Sequence, residues 1–116
     1  MISSLITGTG SYIPEIKKEN KEFLSNLFLN ADGSEIPNKN DIIIEKFKAI
    51  TGIEERRYAV SEYNTSDLGF FAAQKAIDDA GINPEELDYI ILAHNFGDVK
   101  TDAIQSDMLP SLATRV

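Results

Sequence analysis

The chain has 116 residues, 42% of them hydrophobic, and a formal net charge of −8. This length suffices for one small domain with a core, and the hydrophobic content is too high for a disordered chain. The acidity disfavours nucleic acid and anionic membranes as partners, because both normally require a basic face. Since the chain has no cysteine, disulfides, thiolate metal sites and cysteine catalysis are excluded within these residues.

The first predicted elements are a short strand and a turn. Residues 4–7 are mainly apolar and are followed by Gly8, Gly10 and Pro14, which interrupt a strand. Two glycines after a strand could indicate a dinucleotide-binding loop, but no third glycine follows at the required spacing. A tight turn is the favoured interpretation. The chain starts without a basic segment or a long apolar run, so we expect a soluble, cytoplasmic protein with no membrane contact.

Two helices separated by a polar loop are predicted next. Asn20 is expected to cap the first helix and Asp41 the second, which should end at Gly52. Residues 30–40 between them are rich in asparagine and contain a glycine and a proline, which is typical of a loop. Apolar residues at helical spacing give each helix one core-facing side: Phe23, Leu24, Leu27 and Phe28, then Ile43, Phe47 and Ile50.

A third helix is predicted to precede a buried strand. Residues 65–67 should cap this helix and Gly81 should end it, with Pro84 starting a further turn. Small side chains along the helix allow another backbone to approach closely: Gly69, Ala73, Ala76 and Ala80. Residues 88–93 are almost continuously apolar, which is typical of a central parallel strand covered on both faces. Strand, helix and strand in this order predict a right-handed crossover.

The polar loop after residue 93 is where open α/β sheets place their sites. His94 is the only histidine of the chain and could act as a catalytic base, but a structural role is favoured. Asp98, Asp102 and Asp107 could suggest a metal site. Their spacing matches no calcium loop, so no metal is expected.

Arg56 and Arg57 could clamp a phosphate or a carboxylate. Glu54 and Glu55 stand beside them, however, and can form local ion pairs along a short strand predicted within residues 53–60. For Arg56 we therefore favour a partly buried structural pairing.

Four segments in order, residues 8–14, 51–58, 67–73 and 89–93, resemble the amino-terminal part of the β-ketoacyl-acyl carrier protein synthase III family. Thr51-Gly52-Ile53 is the most informative of these motifs. The resemblance implies an α/β fold, the incomplete amino-terminal part of a thiolase-like fold with a parallel-type sheet and covering helices. Residues 1–116 would be a fragment of one such domain without its catalytic remainder. Residues 110–116 begin a helix that stops in its second turn, which suggests an artificial boundary.

The resemblance also implies a reaction, the decarboxylative condensation of an acyl thioester with malonyl-acyl carrier protein in fatty acid biosynthesis. The catalytic cysteine, histidine and asparagine of the family would all lie beyond Val116. Two substrate-binding positions carry over: Thr51 would line the mouth of the coenzyme A channel, and Leu109 would reach across a homodimer into the partner's acyl pocket. The implied partners are acyl-coenzyme A or acyl-acyl carrier protein and malonyl-acyl carrier protein, with no cofactor.

Three departures from the family pattern concern coenzyme A. Lys46 stands where an aromatic residue usually stacks on adenine, and Ile50 and Glu54 replace two arginines. These replacements suggest that the acyl group comes from a carrier protein, or that the enzyme serves a specialised pathway. Alternatives are another thiolase-fold condensing enzyme, such as a hydroxymethylglutaryl-coenzyme A synthase or a secondary-metabolite ketosynthase, and a non-catalytic dimerisation module.

Overall fold

The structure, a computed structural model, describes residues 3–100, 103–107 and 109–116. The chain divides into an inserted unit, Pro14–Ala59, and a terminal unit that combines Met1–Ile13 with Val60–Val116. The elements of the described residues are β1 (Ile16–Glu19), a 3-10 helix (Asn20–Phe23), α1 (Asn40–Thr51), β2 (Glu55–Tyr58), α2 (Thr65–Ala80), a second 3-10 helix (Pro84–Glu86) and α3 (Leu112–Arg115).

In the inserted unit, β1 and β2 form a two-stranded antiparallel sheet. Ile16 pairs with Tyr58 at one end of the ladder and Glu19 with Glu55 at the other. The side chain of Lys17 forms a salt bridge with Glu55 across the strands. Exposed pairs of this kind contribute little, so the backbone ladder is the main link between the two strands. The strand predicted within residues 53–60 is confirmed.

Helix α1 begins after its N-cap residue, Lys39, and ends at Gly52, which has a φ of 68°. Glycine takes this left-handed conformation at little cost, so the predicted end of the helix is confirmed. Asp41 lies inside the first turn and does not cap the helix. Ile43 is buried, whereas Ile50 is 80% exposed, so only part of the predicted apolar side is covered among the described residues.

The helix predicted from residue 20 is wrong beyond its first turn. The chain forms a single 3-10 turn, Asn20–Phe23, capped by Glu19 and not by its own first residue. Further on, the side-chain amide of Asn40 donates to the carbonyl oxygens of Leu24 and Asn26, at 2.7 and 2.8 Å. A continuing helix would need these two carbonyls for its own N–H groups, so the long-range contact replaces the helical one.

In the terminal unit, α2 is the longest helix among the described residues. Its N-cap is Asn64, whose side chain and that of Asp67 form a reciprocal capping box. The start therefore lies one residue before the predicted cap. Gly81, with a φ of 65°, ends the helix as predicted. Asn83 then accepts a hydrogen bond from the Glu85 N–H at 3.1 Å, which confirms the turn predicted at this point.

The glycines near the amino terminus lie against α2. A Cβ atom on Gly8 would stand 2.6 Å from the backbone nitrogen of Ala80, and one on Gly10 would overlap backbone atoms of Ala72 and Ala76. The small side chains of α2 thus admit a second backbone at close range, as predicted. These glycines serve packing in the described structure.

The same amino-terminal segment makes polar and aromatic contacts with the helix. The Thr9 N–H donates to a carboxylate oxygen of Asp79 at 2.9 Å. The ring of Tyr12 lies 4.9 Å from that of Phe71, centroid to centroid, and Tyr63, just before α2, lies 5.0 Å from the same ring. These distances are typical of favourable aromatic pairs, so the segment is fixed to α2 by more than shape.

The predicted parallel sheet is not found among the described residues, where the β1–β2 pair is the only sheet. Residues 4–7 and 88–93 are not assigned as strands, and Tyr89 and Ile91 are 86% and 92% exposed. A strand needs a neighbouring backbone to satisfy its N–H and C=O groups. Neither segment has such a neighbour in the described structure, so apolar composition alone does not make them strands.

The chain ends in α3, a single turn that follows Ser111 as its N-cap. This agrees with the helix predicted from residue 110. Leu112, its first residue, is one of the most buried side chains described. No helix in the described ranges is both long enough and apolar enough to span a membrane.

Candidate functional site

A buried carboxylate lies in the terminal unit. Asp98 is 2% exposed and accepts hydrogen bonds from the backbone N–H of Ser66 at 2.8 Å and from its hydroxyl at 2.7 Å. Ser66 is itself buried in the first turn of α2. A guanidinium nitrogen of Arg115 adds a third bond at 3.0 Å. Asp98 thus joins the start of α2 to the end of the chain.

Arg115 makes further bonds to the segment that precedes α3. Its Nε donates to the carbonyl oxygen of Pro110 at 3.1 Å, and one Nη donates to that of Leu109 at 3.3 Å. The same Nη is 3.4 Å from a carboxylate oxygen of Asp107. We call this group of Arg115, Asp98, Asp107 and the carbonyls of residues 109 and 110 the Arg115 clamp.

Backbone contacts close the loop that the clamp holds. The Asp107 N–H donates to the Asp98 carbonyl at 2.8 Å, and the two residues form an antiparallel bridge. A Cβ atom on Gly97 would overlap the Asp107 carbonyl oxygen, so only glycine allows this approach. Residues 98 and 107 are therefore joined by backbone and by the shared arginine.

The environment of Asp98 keeps it ionised. Burial raises the pKa of Asp98, but the two hydrogen bonds from Ser66 and the charge of Arg115 outweigh burial and hold that pKa below its ordinary value. A carboxylate of this kind is not a proton donor at neutral pH. The arrangement favours a structural, charge-compensated role for Asp98.

A cavity of about 270 Å³ lies beside the clamp. Its lining combines polar and apolar side chains: His94, Asn95, Phe96, Gly97, Ser106, Asp107, Ser111 and Leu112. His94 Nδ1 is 2.8 Å from the carbonyl oxygen of Phe96, which requires a hydrogen on that nitrogen. The bond ties His94 to its own loop and supports the structural role favoured for it.

The carboxylates weighed as metal ligands are used otherwise. Asp98 and Asp107 both pair with Arg115, and Asp102 lies outside the described residues. Within residues 3–100, 103–107 and 109–116, no three His, Cys, Asp or Glu side chains are grouped to hold a metal ion.

A second cavity, of about 170 Å³, lies in the inserted unit. Three aromatic rings, one aliphatic side chain, one amide and one cation line it: Phe23, Phe28, Phe47, Ile44, Asn20 and Arg56. The guanidinium carbon of Arg56 is 5.2 Å from the Phe23 ring centroid, and Arg56 Nη1 donates to the side-chain oxygen of Asn20 at 2.8 Å. Arg56 is thus partly buried and structurally paired, with an amide as its partner. The local ion pair expected nearby is found between Arg57 and Glu55, at 3.3 Å.

The two predicted substrate-binding residues lie in different units. In the inserted unit, the Thr51 hydroxyl donates to the Phe47 carbonyl at 2.7 Å and accepts from the Ile53 N–H at 3.2 Å, so it helps to end α1. In the terminal unit, the Leu109 side chain is 85% exposed while its carbonyl is bound by Arg115. Neither residue lines the cavities described above. Their roles toward substrate remain predictions.

Sequence reasoning missed Ser66 and Arg115. It treated Asp98 and Asp107 as scattered carboxylates, because their partners lie at other points of the chain with no periodic relation to them. The only sequence features that could suggest the contact between Asp98 and Arg115 are an aspartate after an apolar run and an arginine in a terminal helix. Neither specifies a contact.

The chain is similar, over most of its length, to curated synthases whose names refer to the acyl carrier protein. The relatives carry the name β-ketoacyl-[acyl-carrier-protein] synthase III. That of Clostridium acetobutylicum is 42% identical over 104 residues, or 90% of this chain and 28% of the relative. The enzymes of Staphylococcus haemolyticus and Paracoccus denitrificans are 39% and 35% identical over 95% and 100% of the chain, and 31% and 29% of their own lengths.

The chain spans about three-tenths of the length of these curated relatives. No family model matches it. Identity at this level over nearly the whole chain makes it a homologue of β-ketoacyl-acyl carrier protein synthase III over the matched segment. The resemblance drawn from the sequence motifs is thereby confirmed.

Proposed function

We propose that this chain is the amino-terminal part of an acyltransferase of the β-ketoacyl-acyl carrier protein synthase III type, with a thiolase-like fold. The observation that carries the proposal is the identity of 35–42% to three enzymes of that name across 90–100% of the chain. The intact enzyme would be a cytoplasmic homodimer that acts in fatty acid biosynthesis.

In the proposed reaction the acyl group passes from its thioester donor to an enzyme cysteine, and the donor thiol leaves. Malonyl-acyl carrier protein then loses carbon dioxide and its carbanion attacks the acyl-enzyme, which forms the 3-oxoacyl product and frees the cysteine. This cysteine would be activated at a helix amino terminus, with a histidine and an asparagine stabilising the thioester oxyanion. This chain has no cysteine, so its residues would serve the substrate periphery. Thr51 is proposed to border the coenzyme A channel and Leu109 to form a wall of the partner's acyl pocket.

The acyl donor is proposed to be carrier-bound. Lys46, Ile50 and Glu54 occupy the positions where the family resemblance leads one to expect an aromatic ring and two arginines. Glu54 pairs with Lys48 at 2.8 Å, so this lysine already has a carboxylate partner. Fewer free cations here would weaken binding of the coenzyme A phosphates relative to a protein-borne thioester.

A condensation assay tests the proposal. The intact enzyme would be given malonyl-acyl carrier protein together with acetyl-coenzyme A or acetyl-acyl carrier protein, and 3-oxoacyl product and carbon dioxide would be measured. We expect product with both donors and a higher kcat/KM for the carrier-bound one. Condensation with acetoacetyl-coenzyme A, and not with malonyl-acyl carrier protein, would contradict the proposal and favour a hydroxymethylglutaryl-coenzyme A synthase.

A further inference from the structure

We propose that Arg115 is a positioning residue for acyl-chain selection, because its guanidinium fixes the backbone that carries Leu109. This inference rests on the proposed function, in which Leu109 forms a wall of the acyl pocket. Arg115 itself would not touch substrate. It would act through the carbonyl groups of Leu109 and Pro110, at 3.3 and 3.1 Å.

The clamp binds backbone and not only side chains. A guanidinium is a planar fork whose donors have fixed directions, so two bonds to successive carbonyls restrict both peptide planes. The bonds to Leu109 and Pro110 involve different nitrogens of the fork. Displacing the backbone at residue 109 would therefore break at least one charge-assisted hydrogen bond.

Arg115 is itself held from two sides. Its Nη1 binds the buried carboxylate of Asp98, which Ser66 fixes to the first turn of α2. Arg115 also lies in α3, whose first residue, Leu112, is 3% exposed. Buried residues of the terminal unit therefore fix the position of the guanidinium group. Through its hydrogen bonds, the guanidinium group in turn fixes the backbone before α3.

The Leu109 side chain has little packing of its own. It is 85% exposed, so contacts of the leucine with its own unit cannot fix its position. Backbone bonds remain as the main constraint on where it projects. A wall of an acyl pocket must be held to well within the size of a methylene group to discriminate between chain lengths. The clamp supplies this constraint.

The test compares Arg115→Gln and Arg115→Lys with wild type in the intact enzyme. Gly81→Ala serves as the matched control, because its φ of 65° makes alanine destabilising at the far end of α2, away from the clamp. Two quantities are measured for each protein: amide hydrogen exchange of residues 103–107 and 109, and the ratio of kcat/KM for a short and a longer acyl donor.

In Arg115→Gln we expect exchange in residues 103–107 and 109 to accelerate about tenfold or more, because charge-assisted bonds to Asp98 and two carbonyls are lost. The kcat/KM ratio should shift toward the longer donor by up to about tenfold. Arg115→Lys keeps the charge but not the fork, so it should protect the segment only partly. Gly81→Ala should lower thermal stability while leaving both local exchange and the ratio unchanged.

If the amide hydrogen-exchange rates in Arg115→Gln equalled those of wild type, Arg115 would not fix this backbone, whatever the activity of the variant. Faster exchange with an unchanged donor ratio would overturn the link to selectivity. A wild-type enzyme that cannot condense any donor would instead refute the proposed function, and exchange would then decide alone whether Arg115 fixes the segment.

Discussion

Burying a carboxylate removes it from water, and Asp98 is stabilised because three donors replace that water. Ser66 contributes two of them and Arg115 the third, and the arginine also brings a positive charge. Removing the carboxylate charge would leave buried donors that water cannot reach, so the cost should exceed that of losing an exposed ion pair.

Asp98→Asn in the intact protein should reduce the free energy of unfolding by about 2 kcal/mol at neutral pH, because charged hydrogen bonds are lost in a buried site. Denaturant unfolding would measure the difference. Asp78→Asn, an exposed substitution whose carboxylate accepts from Gln74, is the control and should cost far less. If both substitutions lowered the free energy of unfolding equally, the hydrogen bonds to Asp98 would stabilise the protein no more than an exposed pair does.

The same group predicts a pH dependence. The pKa of Asp98 in the folded state lies below the ordinary 3.8, so its stabilising contribution is fully present above pH 3.8. It is lost as pH falls through the lower, folded-state pKa. The stability difference between wild type and Asp98→Asn should therefore be constant at neutral pH and shrink only below pH 3.8. A difference that shrinks between pH 7 and 5 would contradict the depressed pKa.

Leu109→Phe tests the proposed acyl pocket directly. A larger, stiffer ring should fill space that leucine leaves, so kcat/KM for longer acyl donors should fall by roughly ten- to a hundredfold while acetyl transfer is spared. Donor-length profiles of the intact enzyme would show this. Coinciding profiles for wild type and Leu109→Phe would mean that residue 109 is not in the pocket.

At the scale of elements, helix ends were the most predictable part of the fold. Gly52 and Gly81 both take positive φ and end α1 and α2, because local backbone chemistry decides such positions. The helix expected after residue 20 does not continue beyond one turn, because a contact with a distant residue decides the conformation there. Asn40, far along the chain, captures the carbonyls of Leu24 and Asn26, and no local pattern could show that.

The close contact between the amino-terminal segment and α2 gives a prediction at this scale. Gly10→Ala would drive a Cβ into backbone atoms of Ala72 and Ala76, and backbone cannot yield as a side chain can. We expect a loss of about 1–3 kcal/mol in unfolding free energy. Gly69→Ala is the comparison: its Cβ meets only side chains, at 3.0 Å or more, and helix propensity favours alanine. Equal losses would refute the close approach.

At the scale of the whole molecule, the candidate sites divide between the two units. Thr51 and the aromatic cavity belong to the inserted unit, whereas the Arg115 clamp and Leu109 belong to the terminal unit. The sequence motifs identified the family, whereas the roles of Thr51 and Leu109 toward substrate stay predictions. The clamp could not be foreseen, because tertiary contacts between distant residues create it.

Large apolar side chains remain exposed in both units, including Ile50, Tyr89 and Ile91. Exposed apolar surface recruits partners in water. We therefore expect the 116-residue chain alone to self-associate at high micromolar concentration, with a mass above that of the monomer by light scattering. A single monomeric mass over the whole concentration range would count against this expectation.

The most direct test of the acyltransferase assignment is the mass of the protein after incubation with an acyl donor and no malonyl-acyl carrier protein. The intact enzyme should gain one acyl group per chain, located on a cysteine outside residues 1–116 and released by hydroxylamine. The 116-residue chain, which has no cysteine, should gain none. An intact protein that stays unacylated with every donor, or a 116-residue chain that is stoichiometrically acylated, would contradict the account.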